Sequence, residues 1–428
     1  MSLTMSIKEI FKFKNKKILA INPPVEDFAF FDLWSKPVGL LYLLERVRRN
    51  DNEVHFIDCI HEGAIGKKTY GREKIKSIEI EKPTVYRDIK RNYHRYGITE
   101  EELVENLKQY SNVDYIFVTS VMTYWYGGLK WLLYILKREL PHVPVLLGGI
   151  YARLCPSHAL SLGYDYVVTD NWEPDVQYPA MDLYDKLPYG IIITSFGCPF
   201  SCEYCASNLL WHRYRRRDLK EIEREMDYQW DLGARDFAFY DDALLLDKEN
   251  YFYPMCDRIS KRYARSISLH TPNGLHVRQI DKECASVLME TGFKTIRLSL
   301  ESIDRKMLET SSEKLKREDY TTAVRNLREV GYSRKDCETY ILLGLPNQSI
   351  DSVKDTIAFV HENGGTPKLA EFSPIPGTKS FKESLKQVPQ IEEEPLLQNN
   401  SVYASWISGN IAPELLQDLK NFARSIKE

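Results

Sequence analysis

The sequence predicts an α/β protein: a doubly wound N-terminal domain, then a second parallel sheet curved into a partial barrel, then a helical tail. Three observations predict it. Strand-length apolar runs alternate with helix-length amphipathic runs in two separate series. A turn-rich stretch, residues 171–189, divides the series. A polar, helix-forming stretch follows residue 378.

In the first series Lys17–Asn22 (KILAIN) reads as a buried strand stopped by Pro23 and Pro24. Pro37–Arg49 has apolar residues at helical spacing and a basic last turn, which suits a helix C-terminus. Glu53–Asp58, Tyr115–Ser120, Val143–Gly149 and Tyr164–Thr169 read as further strands, with a helix at Leu129–Leu140. Such alternation implies a parallel, doubly wound sheet over residues 1–170. Residues 60–112 interrupt it as a polar insertion rich in Lys, Arg and Tyr, with a weak helix signal at Thr99–Tyr110.

Residues 171–189 have linker composition. The second series covers residues 190–378. Its strands are read at Gly190–Ser195, Asp236–Asp241, Ser266–Thr271, Thr295–Glu301, Glu338–Leu343 and Lys368–Ser373. Helices are read at Asp218–Leu232, Lys248–Tyr263, Asp281–Thr291, Arg317–Val330 and Ser349–Glu362. Six strand–helix units suit a partial barrel. Residues 379–428 are read as a helical cap.

The formal charge of −3, from 58 basic and 61 acidic residues, gives no sign of nucleic acid or an anionic membrane as partner. No apolar run approaches the roughly 20 residues that span a bilayer, and the N-terminus lacks a signal-peptide core. A cytoplasmic protein is expected. Of 8 cysteines, Cys59, Cys155, Cys256, Cys284 and Cys337 are scattered and are expected to act as small buried hydrophobes.

The other three form C-x-x-x-C-x-x-C at Cys198, Cys202 and Cys205, directly after the apolar IIITS run. Thiolates favour iron–sulfur clusters or zinc. A structural zinc site closes with four ligands, and His212 is the nearest further candidate. Three ligands on a four-iron cluster leave one iron open for a bound molecule. A zinc site completed from afar and a chance grouping of thiols are the alternatives. The loop also lies where barrel active sites lie, beyond a strand's C-terminal end.

With an aromatic residue before its last cysteine, this triplet resembles the radical S-adenosylmethionine superfamily, whose fold is a partial (β/α)6 barrel. The resemblance covers roughly residues 189–379. It implies that the open iron binds S-adenosylmethionine, and that an electron from the cluster cleaves it to a 5′-deoxyadenosyl radical. It also implies an external flavodoxin- or ferredoxin-type electron donor, and a small-molecule or peptide substrate. Tyr204 matches the aromatic residue near the adenine. Asp241 and Asp242 match the end of the second strand, where the family contacts the methionine amino group, though either could instead cap a turn. Asn273 closes the third strand. Arg297, Ser299 and Glu301 alternate with Leu298 and Leu300 along RLSLE, giving one polar face suited to a lumen around a polar ligand. Glu301 is expected to bind the ribose or methionine part. GLP at 344–346 and PIPGT at 374–378 resemble the family's fifth- and sixth-strand loops. In the run Arg213–Arg217 one arginine either faces the cluster or an anion, or merely belongs to a solvated helix start.

The N-terminal domain, with NPP after its first strand and LLGG after its fourth, resembles the Rossmann-like cobalamin-binding domain of the family's cobalamin-dependent branch. That implies cobalamin at the C-terminal edges of both sheets. Gly148 and Gly149 would allow close approach, and Met122, Tyr124 or Trp125 would contact the corrin or else pack on a helix. The cobalt-ligating D-x-H-x-x-G string is not present; Asp58-Cys59-Ile60-His61-Glu62-Gly63 has the wrong spacing. Three functions follow: cobalamin-dependent C-methyl transfer, a radical enzyme whose N-terminal domain is only a scaffold, and a non-catalytic metal-binding protein.

Overall fold

The computed structural model describes residues 2–30, 34–304, 307 and 315–425; the ends of the expected N-terminal domain and tail, residues 1 and 426–428, lie outside these. The chain divides into two compact units. One is Met1–Leu187 together with Pro389–Ser401; the other is Pro188–Val388 together with Val402–Glu428.

The first unit is a parallel sheet. Its strands are β1 (Leu3–Thr4), β2 (Lys17–Asn22), β3 (Glu53–Asp58), β4 (Tyr115–Val118), β5 (Val145–Leu147) and β6 (Tyr166–Val167), in the spatial order β1-β6-β5-β4-β2-β3. Ile18, Leu19, Ala20 and Ile21 are wholly buried because a sheet covered on both faces hides every side chain of its central strand. The order reverses between β2 and β4, so the loops after these strands meet at a topological switch point, where such sheets bind ligands. Helix α1 (Val38–Arg48) buries Leu41, Leu44 and Val47 and ends on Arg48, which grips Asp182 through two nitrogens at 2.7 and 3.0 Å. The stretch read as a linker is therefore packed: Ala180, Met181, Tyr184 and Leu187 are buried.

Within the expected insertion, the helix Glu100–Leu107 forms behind a reciprocal Thr99–Glu102 cap. Four short strands also lie there, which the polar composition conceals. Ala64–Lys67 pairs with Glu73–Ile75, and Tyr93–Tyr96 lies between Ser77–Ile80 and Val25–Asp27, all antiparallel. Ser77–Ile80 is largely exposed, so it carries no apolar alternation to read.

The segment Pro389–Ser401 runs with this first unit and docks on the loops that follow β2 and β4. Asp27 is the hub. Its carboxylate, 3% exposed, accepts from Trp125 Nε1 at 2.7 Å and from Asn399 Nδ2 at 2.9 Å. Tyr124 donates to Asn400 Oδ1 at 3.2 Å, Tyr126 to Glu394 Oε1 at 2.8 Å, Tyr86 to the Leu396 carbonyl at 2.5 Å, and Arg91 to the Ser401 carbonyl at 2.6 Å. Burial raises the Asp27 carboxyl, and these donors oppose the rise. Asp27→Ala leaves the Trp125 and Asn399 donors unmet, a loss of about 2–3 kcal/mol. The expected result is faster limited cleavage by a glutamate-specific protease at Glu392–Glu394; an unchanged rate would contradict the hub role.

The second unit carries a parallel sheet whose main path runs in sequential order: β7 (Gly190–Ile192), β8 (Asp236–Phe239), β9 (Ser268–His270), β10 (Phe293–Glu301), β11 (Cys337–Leu343) and β12 (Thr366–Glu371), with a short seventh strand, Leu275–His276, also pairing with β10. Between them run α2 (Leu219–Asp231), α3 (Tyr253–Tyr263), α4 (Lys282–Thr291), α5 (Arg317–Glu329) and α6 (Ile350–Glu362); α7 (Lys379–Gln387) and α8 (Pro413–Arg424) follow. Ile296, Leu298 and Leu300 of β10 are buried, while Arg297, Ser299 and Glu301 are half-exposed on the opposite face. In β11, Glu338, Tyr340 and Leu342 share that half-exposed face. The period of two thus gives both strands one buried face and one more polar, half-exposed face. No described helix is long and apolar enough to cross a membrane.

Candidate active site

The three cysteines lie on one loop beyond β7. A short antiparallel ribbon closes its base: Ser195 pairs with Arg216 and Phe196 with Arg215. Gly197 then turns the chain with φ +75°, and a Cβ there would stand 2.9 Å from the Arg213 carbonyl. Gly197→Ala should cost about 1–2 kcal/mol from the left-handed backbone, read as a lower denaturation midpoint together with lower iron loading.

None of the three thiols is in a disulfide; Cys198 and Cys202 are partly buried and Cys205 is exposed. The Cys205 N–H donates to the Cys202 carbonyl at 3.1 Å, and the Ser207 N–H points at Cys205 Sγ at 3.5 Å. Burial first, then nearby Asp242 and the other two thiols, push the Cys198 thiol up to about 12. Among the described residues no group of three or more His, Cys, Asp or Glu side chains converges to hold a single metal ion, and exposed His212 joins no such group. A cluster asks for a different arrangement, with each thiolate on its own iron. Three soft donors on one loop suit that donor set.

The surroundings come from the strand ends. Tyr204, inside the cysteine loop, hydrogen-bonds both Cys202 and the Glu301 carboxyl at the end of β10. Glu301 has φ +66° and sits at a register shift between β10 and β11, and burial raises its carboxyl. A non-glycine residue held there carries backbone strain of the kind that collects at functional sites. Asp242 is open to solvent yet surrounded by protein; loss of hydration raises its carboxyl, and it accepts from Ser207 Oγ at 2.7 Å. Asn273 donates to the Tyr240 carbonyl at 3.0 Å and the Asp241 carbonyl at 3.3 Å, tying the second strand's end to the third. Ser299 lies under Gly274, where a Cβ would stand 1.9 Å from its Oγ. The PIPGT loop and the start of α7 close the rim: Gly377 packs on Leu209, and the Ser380 N–H of α7 donates to the Glu203 carbonyl at 3.0 Å.

Three expected residues are engaged by other parts of the chain. Asp241 is buried just past β8. Its carboxylate, 3% exposed, accepts from Thr194 Oγ1 (2.6 Å) and N (3.0 Å) and from Ser195 N (2.6 Å) and Oγ (2.7 Å), which braces the chain just before the cysteine loop. Arg297 ion-pairs with Glu338 lower on the lumen wall. Tyr124 is 3% exposed and committed to Asn400, because the tail covers it. Met122, by contrast, is 43% exposed and Val121 37%, just past β4. Gly148 has open space around it, its nearest neighbour being Val168 at 3.9 Å, whereas Gly149 (φ +96°) packs against the Ser120 backbone. His61 is held by Glu73 at 2.7 Å. The apolar, side-chain-poor shelf of Val121, Met122 and Gly148 suits a flat cofactor face, and no described side chain there stands as a ready cobalt ligand.

The arginine run resolves into separate contacts. Arg216 pairs with Asp247 at 2.6 Å, Arg215 lies over Phe196, and buried Arg217 pairs with buried Glu225 at 2.5 Å. Tyr251 donates to both the Thr194 and Arg217 carbonyls at 2.8 Å. Gln229, Thr194 and Tyr251 carried no readable signal, since they have partners 38, 47 and 57 residues away.

The fold and site define a parallel-barrel domain with an open three-cysteine loop at the C-terminal end of its first strand. Residues 192–360 match the model of the Radical SAM superfamily, a family whose cofactors are a 4Fe-4S cluster and S-adenosylmethionine. An uncharacterised methyltransferase, PH0819, of Pyrococcus horikoshii is 23% identical over 218 residues, 50% of this chain and 46% of that protein. The chain spans less than half the length of the curated relatives it matches. The fold is similar to the radical S-adenosylmethionine methyltransferase TsrM from Kitasatospora setae, solved with tryptophan substrate and a SAM analogue. That likeness has a TM-score of 0.63 at 17% identity and covers 88% of this chain and 77% of that one. It is similar also to the cobalamin-dependent S-adenosylmethionine radical enzyme OxsB, solved with aqua-cobalamin and S-adenosylmethionine. Here the TM-score is 0.57 at 12% identity, over 91% of this chain and 57% of that one.

Proposed function

We propose that this chain is a radical S-adenosylmethionine enzyme whose Cys198, Cys202 and Cys205 hold a 4Fe-4S cluster, and that it transfers a methyl group to a substrate carbon with cobalamin held on its first unit. The observation that carries the reading is the cysteine loop itself: three thiols outside any disulfide beyond β7, linked to the Glu301 carboxyl through Tyr204. The architectures shared with TsrM and OxsB support it. When bound, the cluster supplies the electron that splits S-adenosylmethionine to a 5′-deoxyadenosyl radical, and cobalamin supplies the methyl carrier.

The chain's residues bind and orient. Asp241 and the ribbon fix where Cys198 begins. Tyr204 sets the distance between the cysteine loop and β10. Glu301, Asp242 and Asn273 offer polar atoms at the strand ends to the amino, carboxylate and ribose groups of the sulfonium donor, and Ser299 and Arg297 continue the polar wall below them. Met122 and Gly148 line the face for the corrin. An external flavodoxin- or ferredoxin-type protein delivers the electron, and the methyl acceptor is a small molecule or peptide.

A second reading, in which the first unit holds no cobalamin, is favoured by one observation: Tyr124 and Trp125 are already engaged, with Asn400 and Asp27. Anaerobic reconstitution with iron, sulfide and hydroxocobalamin separates the two. The first reading expects about four irons, retained cobalamin, and 5′-deoxyadenosine on reduction with S-adenosylmethionine. Iron and 5′-deoxyadenosine without cobalamin select the second. Neither iron nor 5′-deoxyadenosine contradicts both and leaves a non-catalytic protein.

A further inference from the structure

We propose that the arginine-lined depression on the second unit, away from the cysteine loop, binds a phosphate-bearing small molecule. The depression has a volume of about 450 Å³ and is lined by Thr321, Arg325, Arg328, Arg334, Glu362 and Asn363, with Gly364. Thr321, Arg325 and Arg328 follow one another at i, i+4 and i+7 on α5 and so share one face. Arg334 comes from the turn before β11, and Asn363 and Gly364 end α6 just before β12. The site therefore lies where barrel strands begin, whereas the cysteine loop lies where they end.

The wall is fixed by its own hydrogen bonds. Thr321 Oγ1 donates to Asn363 Oδ1 at 3.1 Å, Asn363 Nδ2 to the Phe359 carbonyl at 2.8 Å, and Arg334 Nη2 to the His361 carbonyl at 3.0 Å. Arg334 thereby caps the C-terminus of α6, which accounts for one arginine. Arg325 and Arg328 have no such role. Among the described residues neither lies within ion-pair distance of a carboxylate. Arg216, Arg217, Arg258, Arg262 and Arg297 of the same unit all do. Gly364, with φ +81°, leaves room for Arg328, whose Cδ would stand 3.4 Å from any Cβ there.

Three guanidinium groups around one hollow repel each other, with only Glu362 to offset them. An oxyanion relieves that repulsion, and guanidinium forks match the paired oxygens of a phosphate better than a point charge does. The concave form and the volume favour a small molecule over an extended surface.

Isothermal titration of the full chain with inorganic pyrophosphate and with adenosine monophosphate tests this. We expect one saturable site, weakened at least about tenfold in Arg325→Gln/Arg328→Gln and unchanged in Arg224→Gln, an exposed control on α2. Tighter binding of the monophosphate identifies an ester as the ligand; tighter binding of pyrophosphate identifies a free anion. Binding that survives in the double variant, or no binding of either probe, overturns the proposal. Both variants change exposed side chains, and an unshifted thermal midpoint confirms that they fold. S-adenosylmethionine cleavage should be unaffected by them, so this test stands apart from that of the cysteine loop.

Discussion

Cys202→Ala should retain almost no cluster iron after anaerobic reconstitution and should form 5′-deoxyadenosine no faster than a no-enzyme control. The expectation follows from ligand arithmetic. Three thiolates hold a four-iron cluster with one iron left open, and removing one leaves two corners unheld. The effect should be local. Cys202 is only partly buried, and its backbone carbonyl, which accepts from the Cys205 N–H at 3.1 Å, survives the change. Circular dichroism and the unfolding midpoint should therefore match the parent. Cys205→Ala should behave alike, whereas Cys256→Ala, a buried cysteine on α3, should keep its iron and lose stability instead. A Cys202→Ala variant with full iron would remove the basis for the assignment.

Asp241→Ala has the largest expected effect on stability. The carboxylate accepts from two backbone N–H groups and two hydroxyls of Thr194 and Ser195, all buried. A methyl group meets none of them. Leaving the two backbone donors unmet costs about 3–5 kcal/mol in all. Urea unfolding should show the loss. Because Ser195 begins the ribbon that fixes the cysteine loop, the folded fraction should also load less iron. Asp241→Asn should fall between, since an amide oxygen keeps an acceptor while its NH₂ faces donors. Parent-like stability for Asp241→Ala would contradict the bracing role.

Both sheets were legible because their strands obey simple patterns. KILAIN is apolar from Ile18 to Ile21, as the middle of a central parallel strand must be, and RLSLE alternates, as a strand with two unlike faces must. The cysteine loop was legible because ligand spacing is itself a chemical signal. What could not be read were pairings over long sequence separations. Asp241 looked like a ligand-facing carboxylate because it ends a strand, but its partners lie in another strand, 46 and 47 residues away. Tyr124 and Trp125 looked like a cofactor face, yet Tyr124 receives a tail residue 276 positions further on, and Asp27, which holds Trp125, receives one 372 positions on. That docking also gives a reason for part of the tyrosine content. Tyr86, Tyr124 and Tyr126 each spend a hydroxyl on the tail, and Tyr93 spends one on the Glu26 carbonyl. The strands within residues 60–112 escaped notice because two-sided polar strands have no apolar period. Arg217 was hidden in a charge run, and its burial, its pairing with Glu225 and its bond to the Ile193 carbonyl set it apart from the other arginines.

The decisive measurement is electron paramagnetic resonance of the anaerobically reconstituted, dithionite-reduced protein, recorded with and without S-adenosylmethionine. An iron left free by Cys198, Cys202 and Cys205 should take the sulfonium donor as a ligand, so the signal of the reduced cluster should change when it is added. A signal that stays the same, or a site that loads zinc rather than iron, would mean that no corner is open to substrate.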